Sequence, residues 1–455
     1  MKKILFVHAK GGVPLDHAVP RMAAHAQVHM LAVAPPADGT WREHCTDVIE
    51  AWAGQPRGDE LVDLIVRTAK AIGADAVLAF SEYVILAVAL AAERLGLPGP
   101  GPNVRLARDK RLMRERWREA GVPVPAFRRV SSEDDLRAAF AELTPPLLLK
   151  PAWGAGSVGQ RVLREEADVA PAWAAVTGAL AELAEHGLGD YYETEAPRQL
   201  LVEEIIAGTV EGWYDEPGFG DYLSVEGIVA NGVYHPIAIT GRIPTIPPFT
   251  ELSSHAPTAL SEAAQRRIEQ YARDAVNALK LDTCGTHTEI KLCAGGTAVL
   301  LESAARFGGS AITAVVETVF GVDMVGLLTR QLLGEPVEYP ERMLTTGSGA
   351  AAELSLIGAD SRGRPWATTP VWDSRTANLA ALVSPGSTIT HVTGLTAPDG
   401  TRVPRYDETL GITNCIGMLF LTAPNRHQML ADTYAVLDGL EQRLLAAEAA
   451  QGEPR

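Results

Sequence analysis

Residues 286–310, T-H-T-E-I-K-L-C-A-G-G-T-A-V-L-L-E-S-A-A-R-F-G-G-S, place two carboxylates and a guanidinium within one predicted hairpin. Two alternating runs, 287–293 and 297–304, flank Gly295-Gly296, and a Gly-Gly pair between such runs signals a two-residue turn. That turn sets Glu289 directly opposite Glu302. Two like charges roughly 5 Å apart on one sheet face repel, so the pair asks for a cation between them. Carboxylates are hard ligands, and Mg2+ is commonly held by one or two of them with water and substrate phosphates filling its shell. A solvated glutamate pair is the ordinary alternative. Apolar neighbours and the following Arg306-Phe-Gly308-Gly309, a backbone able to approach a ligand closely, favour a site.

The rest of the chain bounds this reading. A length of 455 residues implies about two to four domains. A hydrophobic content of 47% with 21% charged residues is that of a soluble globular protein. The net charge of -16 opposes a nucleic-acid partner, although a local basic site can still hold a small phosphate. Cys45, Cys284, Cys293 and Cys415 lie far apart with no metal spacing, so neither disulfides nor structural zinc are expected and a reducing cytoplasm fits best. The opening M-K-K-I-L-F-V-H is too short in its apolar run for a signal peptide, and the longest apolar run, 83–92, is half of a membrane span. No membrane association is expected.

Continuous apolar strands at 3–8, 28–33 and 76–80, with a helix at 61–72 between them, predict a small parallel sheet covered by helices for residues 1–103. A basic helix at 104–120 follows, whose usual meaning is a solvated face. A strand at 147–150 then enters K-P-A-W-G-A-G-S-V-G, in which Gly154, Gly156, Ser157 and Gly159 can wrap a phosphate and Lys150 supplies positive charge at the base. Such a loop alone is as readily a structural turn. A strand-like run on its far side, 160–163, makes it a flap between two strands rather than the strand-loop-helix of a P-loop.

Beyond it, the strand 199–204 ends in Glu203-Glu204, and Glu203 with the backbone of Ile205 and Ile206 could recognise an adenine, a surface glutamate pair being the plain alternative. Strands at 222–230 and 232–240 turn at Asn231-Gly232. Residues 242–255, R-I-P-T-I-P-P-F-T-E-L-S-S-H, read as a proline-stiffened loop that brings Glu251 or His255 to an amino-acid substrate, unless both are simply exposed. From about 341 onward, strands at 350–357 and 387–392 and a closing helix at 426–447 suggest a separate small α/β region.

The motifs K-P-x-x-G-x-G-S-x-G, E-E-x-I-x-G, E-I-K and E-S-A-A-R-F-G-G, in this order, resemble the ATP-grasp superfamily of carboxylate-amine ligases, and R-I-P-T-I-P-P-F-T-E, T-H-T-E-I-K-L and L-E-S-A-A-R-F are most similar to its L-amino-acid ligases. The resemblance covers roughly residues 3–330. It implies an α/β and α+β multidomain ATP-grasp fold: a parallel α/β domain (1–103), a region with the basic helix and lid (104–210), a catalytic antiparallel sheet (211–335) and a C-terminal α/β elaboration (336–455). It also implies a ligase that phosphorylates a substrate carboxylate with ATP, then lets an amine attack the acyl phosphate. Its cofactors would be ATP and Mg2+, with Mn2+ as a substitute, and its partners small-molecule amino acids; a homodimer is a compatible assembly. Another ATP-grasp ligase or carboxylase, or a nucleotide-binding regulator, is the alternative, which the combined presence of the glutamate pair, Arg306 and both lysines disfavours.

Residue by residue, the resemblance makes Lys110 and Lys150 phosphate ligands, Gly154 to Gly159 the flap, Glu203 the adenine contact and Glu289 and Glu302 the metal ligands. Arg306 would stabilise the acyl phosphate and oxyanion. Glu251, His255, Gly309 and Ser310 would face the substrate, Ser310 standing where the typical family member carries Trp. Two positions depart from the superfamily. Ala304 replaces the usual Asn after the second Glu, and the ribose-binding acid falls at Val210, which shifts the expectation to Glu211.

Overall fold

The computed structural model of the chain describes residues 1–154, 156, 159–185, 189–195, 199–408 and 410–452. Strands β1 (Lys3–His8), β2 (Gln27–Ala32), β3 (Asp47–Glu50) and β4 (Ala76–Leu78) form a four-stranded sheet in the order β3-β2-β1-β4. Every pairing in it is parallel. β1 is buried along its centre because helices cover both faces, Leu15–Ala23 with Met324–Leu332 on one side and Gly58–Ile72 with Ile85–Leu95 on the other. This accounts for the unbroken apolar run that predicted it. β3, with charges at both ends and a half-exposed Val48-Ile49, is an edge strand that the sequence reading omits.

The lid is a second sheet, β5 (Phe127–Val130), β6 (Leu147–Pro151), β7 (Arg161–Leu163) and β8 (Leu200–Glu204), ordered β5-β8-β6-β7 and antiparallel throughout. The glycine flap joins β6 to β7, as predicted. Helices Glu133–Glu142 and Val169–Glu185 cover one face of this sheet and leave the other free to form a cleft.

The third sheet holds eight strands: β9 (Tyr222–Ala230), β10 (Val233–Gly241), β11 (Ser253–Ala256), β12 (Cys284–Leu292), β13 (Ala298–Ala304), β14 (Ala350–Leu356), β15 (Thr388–His391) and β16 (Gly417–Ala423). Their order is β13-β12-β9-β10-β11-β14-β16-β15. The β9-β10 turn falls at Asn231-Gly232, both with positive φ, 49° and 78°. Helix Glu262–Leu279 packs its apolar stripe, including Ile268, Ala272 and Val276, on β9, β12 and β13.

Two expectations are corrected at this level. The region after 335 is not a separate unit, because β14 pairs with β11 and carries β16 and β15 into the eight-stranded sheet. Its own core, closed by helix Arg426–Gly452 over Leu354, Leu419 and Leu421, gives it the look of an independent domain in sequence. Likewise, residues 253–256, read as loop, form the fully buried β11 that joins the two halves of the sheet. Four residues without alternating hydrophobicity, S-S-H-A, carry no strand period because both faces are covered. Among the described residues no single helix is long and apolar enough to cross a membrane.

A chain ending at residue 335 would expose the β11 edge and the apolar Ala256, Val315 and Val319 that pack on Ala351, both aggregation-prone. We expect that truncation to be recovered as aggregate on gel filtration, whereas a monodisperse, nucleotide-binding fragment would contradict a continuous sheet.

Candidate active site

β12 and β13 pair Glu289 with Glu302, as the hairpin predicts, but by another route. The turn is not two residues long. Cys293 N donates to Thr297 O at 2.9 Å around a tight turn at Ala294–Gly296, so the strands leave it one residue out of the predicted register, Ile290 opposite Leu300. An extra residue on β13, Leu301, then restores the pairing. A bulge of this kind frees a backbone carbonyl. Arg114 Nη2 takes it, donating to Leu301 O at 2.6 Å.

Arg114 lies on the basic segment, which is two helices, Val104–Arg108 and Lys110–Glu119, broken at Asp109. Asp109 accepts from Arg111 N and starts the second helix. This segment is not a solvated face: Arg108, Lys110 and Arg114 are all buried. Arg114 Nε donates to Glu203 Oε2 at 3.1 Å, while Lys150 donates to Glu203 Oε1. Glu203 is 2% exposed, and although burial works against its charge, Arg114 and Lys150 hold its carboxyl below the usual range. Each oxygen thus already accepts from one cation, while the carboxyl group borders the smaller cavity, where the expected adenine contact would lie. Its observed work is to anchor Lys150. Ile206, the other half of that prediction, does line the cleft.

Lys110 Nζ donates to Glu302 at 3.0 Å and to the flap carbonyl of Gly154 at 2.8 Å, joining the basic helix, the flap and the glutamate pair through one ammonium. On the other side His287 Nε2 stands 3.4 Å from Glu289, and its Nδ1 is 2.9 Å from Glu226. Burial opposes the imidazolium, yet Glu226 and Glu289 raise its pKa to about 10. Burial would also raise Glu289, but His287 overcomes it and holds the carboxyl at about 2. Glu226 and Glu289 therefore remain ionised on either side of the imidazolium.

Two cavities meet at this ladder. One, of about 170 Å³, lies between the lid and the large sheet and is lined by Lys110, Lys150, Gly154, Gly156, Glu203, Ile206, Glu289 and Glu302. The other, of about 670 Å³, lies among all three sheets and is lined by Gly12, Glu82, Arg242, Arg306, Ser310 and Glu353, among others. Glu289, Glu251 and the flap at Gly154 and Gly156 border both. At the flap tip, Gly156 has φ 64° and a Cβ there would sit 3.1 Å from Ile412, so the flap reaches the C-terminal region. Gly159 closes the flap at φ 71° against Pro151; Ser157 lies outside the described residues.

Arg306 projects into the larger cavity with Nε 2.5 Å from Glu82 of the N-terminal domain. Burial disfavours its charge, but Glu82, then Glu302 and Glu289, keep the guanidinium firmly protonated. Ser310, with φ 55°, donates from its N to Gly12 O at 3.2 Å, so Gly309 and Ser310 do line this chamber. Glu251 also faces it, bound to Arg242 Nε at 2.7 Å and 3.3 Å from the Tyr222 hydroxyl.

Two predicted contacts are not in the site. His255 is buried on β11 with its ring 5.5 Å from that of Phe219, neither ring nitrogen has a hydrogen-bond partner, and burial pushes its pKa down to about 3. It is a neutral core residue. Glu211 is exposed on the connection after the lid and borders neither cavity. Conversely, Glu82, Arg242, Glu226 and Glu353 belong to the site's surroundings and are missed by the sequence reading: Arg242 opens the R-I-P-T-I-P-P-F-T-E motif, whereas the other three lie in no motif and offer at most an isolated charge inside an apolar run, as at Glu82 after A-V-L-A-F-S.

The donor set suits a hard cation held jointly with a ligand. Among the described residues no group of three or more His, Cys, Asp or Glu could hold a metal alone. An ion at Glu289 and Glu302 would need further oxygens, which bound phosphates supply in Mg2+ sites.

Breaking the buried Glu203 triad should be costly, since removal of one partner leaves unpaired charge. Glu203→Gln is expected to lower unfolding stability by about 3 kcal/mol in urea at neutral pH. Because the folded-state carboxyl is depressed, the wild-type advantage should be present above the ordinary glutamate pKa of about 4.3 and lost as pH falls below it.

Known proteins match this architecture. A family model of the ATP-grasp domain matches residues 143–314. The chain is 38% identical over 288 residues to alanine–anticapsin ligase of Bacillus subtilis strain 168, a match spanning 63% of this chain and 60% of that protein. D-alanine–D-alanine ligase of Pseudomonas entomophila is 37% identical over 84 residues, 18% of this chain and 26% of its own. The crystal structure of an L-amino acid ligase from Bacillus licheniformis superposes with a TM-score of 0.72 at 16% identity, covering 97% of this chain and 98% of the other. A biotin carboxylase from Campylobacter jejuni superposes at 0.64 and 16% identity over 94% and 89%. Residues 143–314, which run from the lid into the large sheet, therefore match the ATP-grasp domain, and the chain spans less than two thirds of the length of the curated ligases it matches.

Proposed function

We propose that this protein is an ATP-dependent ligase that joins two amino acids through an acyl-phosphate intermediate. One observation carries the reading: Glu289 and the flap form a shared border between a small cleft under the lid and a larger polar chamber. Such a border is where a terminal phosphate would meet a carboxylate. Similarity to alanine–anticapsin ligase supports amino acids as the substrates.

In this reading the cleft between β6, β8 and β13 takes the nucleotide, with Ile206 at the base and Lys110 and Lys150 on the phosphates. Each lysine is already oriented by a buried carboxylate, so little reorganisation is needed on binding. Glu289 and Glu302 would hold Mg2+, which neutralises phosphate charge when bound. Arg306, fixed by Glu82, faces the chamber, where it would stabilise the negative charge that develops on the acyl oxygen as the amine adds to the acyl carbon. An acyl phosphate is prone to hydrolysis, and the flap at Gly154 and Gly156, tied to Lys110 at its base, closes the border against water. Phosphorylation itself supplies the leaving group, so this route requires no nucleophilic Ser or Cys.

Phosphate release from ATP, assayed over single amino acids and pairs, is expected to need two amino acids; release driven by bicarbonate alone would overturn the reading. Glu302→Gln should reduce turnover by at least about 10²-fold while retaining part of the nucleotide binding, measured by phosphate release and by calorimetry. Ser310→Trp, which fills part of the larger chamber, should shift acceptor preference toward smaller side chains in competition assays, and an unchanged preference would dissociate Ser310 from acceptor selection.

A further inference from the structure

Among the described residues six carboxylates border the larger cavity, and five of them face a cation. Glu82 holds Arg306, Asp190 holds Arg108, Glu193 holds Arg105, Glu251 holds Arg242, and Glu289 stands against His287. Glu353 differs: among the described residues no Lys, Arg or His forms a salt bridge with it, although it is 4% exposed. A buried carboxylate without a counter-ion is expensive to keep ionised, so it needs a reason to be there.

Its position comes from the strand. On β14, Ala350, Ala352, Leu354 and Leu356 fill the C-terminal core, while Glu353 and Ser355 point the other way and border the chamber. Glu353 Oε2 accepts from Ala311 N at 2.5 Å, directly after Ser310, which ties it to the end of the hairpin that also carries Arg306. Its other neighbours are Ser254, across the ladder on β11, with Arg242, Glu251 and Cys415 as the charged or titratable groups around it. Burial raises its carboxyl to about 7, and the Ser254 hydroxyl, Arg242 and Ala311 N only partly offset this, while Glu251 adds to it.

We propose that Glu353 receives the ammonium of the acceptor amino acid and takes its proton. This rests on the ligase reading. An amino acid that arrives as R-NH3+ cannot attack until it gives up a proton. Transfer of that proton to the Glu353 carboxylate leaves R-NH2, whose lone pair forms the C–N bond. The bond between the acyl carbon and the bridging phosphate oxygen then breaks, phosphate leaves with the bonding pair, and the second N–H proton departs with it. Glu353 returns its proton to solvent. The other bordering carboxylates, locked to cations, are poorly placed to change charge, and the donor amino acid's ammonium needs only to be held, not deprotonated.

Hydroxylamine separates the two halves of the reaction, because it traps the acyl phosphate as a hydroxamate and needs no deprotonation at neutral pH. Wild-type protein should form hydroxamate from one amino acid with ATP and dipeptide from two, with the dipeptide rate rising as pH increases through about 7. In Glu353→Gln the ratio of dipeptide to hydroxamate should fall by about 10²-fold or more, the rise through neutral pH should vanish, and Glu353→Asp should recover part of both. Hydroxamate formation by the variant also certifies its fold. Equal loss of both products, or a dipeptide rate with the wild-type pH profile, would overturn the assignment. Wild-type protein that makes no hydroxamate from any amino acid would overturn the ligase reading and this inference with it.

Discussion

The structure depends on keeping two carboxylates, Glu289 and Glu302, side by side on a largely buried ladder. Like charges in that position repel, and burial strengthens the repulsion. The surrounding elements answer with cations from different parts of the chain: Lys110 from the basic helix, His287 from the same strand, and Arg306 from the end of the hairpin. Each of these is pinned again, Lys110 to the flap, His287 to Glu226 and Arg306 to Glu82. The charges radiate outward through three sheets, so the N-terminal domain, lid and catalytic sheet meet around one electrostatic problem. Buried ion pairs add little net stability over apolar packing, but losing one partner is costly. Their effect is to fix position.

That arrangement also divides the interior. The smaller cleft is walled by lysines and the larger chamber by Arg306, Arg242 and Glu353, with Glu289 and Glu251 between. The C-terminal strands belong to this division as much as to the fold. By extending the sheet past β11 they place Glu353 and Ser355 in the chamber wall, and residues such as Ile412 and Met418 opposite the flap. The proposed ligation, which must exclude water while admitting two substrates, would use such a roomy compartment.

Much of the site was legible because its residues sit at fixed offsets within short motifs. Glu289, Glu302, Lys150 and the flap glycines were placed by period-two alternation and turn chemistry, which are local. Even so, the glutamate pairing survived only because a bulge at Leu301 compensated a turn longer than the expected one. Arg108 and Arg114 were misread as solvent-facing, since a charged helix looks the same in sequence whether its partners are water or Glu203 and Asp190. His255 showed the opposite error: a polar residue in a proline-rich stretch proved to be core.

The sequence by itself determined the elements: the parallel strands, the flap between two strands, the opposed glutamates and the ATP-grasp motifs that order them. These follow from periodicity and residue type over a few positions. Tertiary structure alone decided which charges neutralise one another, that Glu82 from the N-terminal sheet holds Arg306, and that β14 brings Glu353 into the chamber. Such pairings join residues hundreds of positions apart, and their energies depend on burial and dielectric surroundings that exist only once the sheets have packed together.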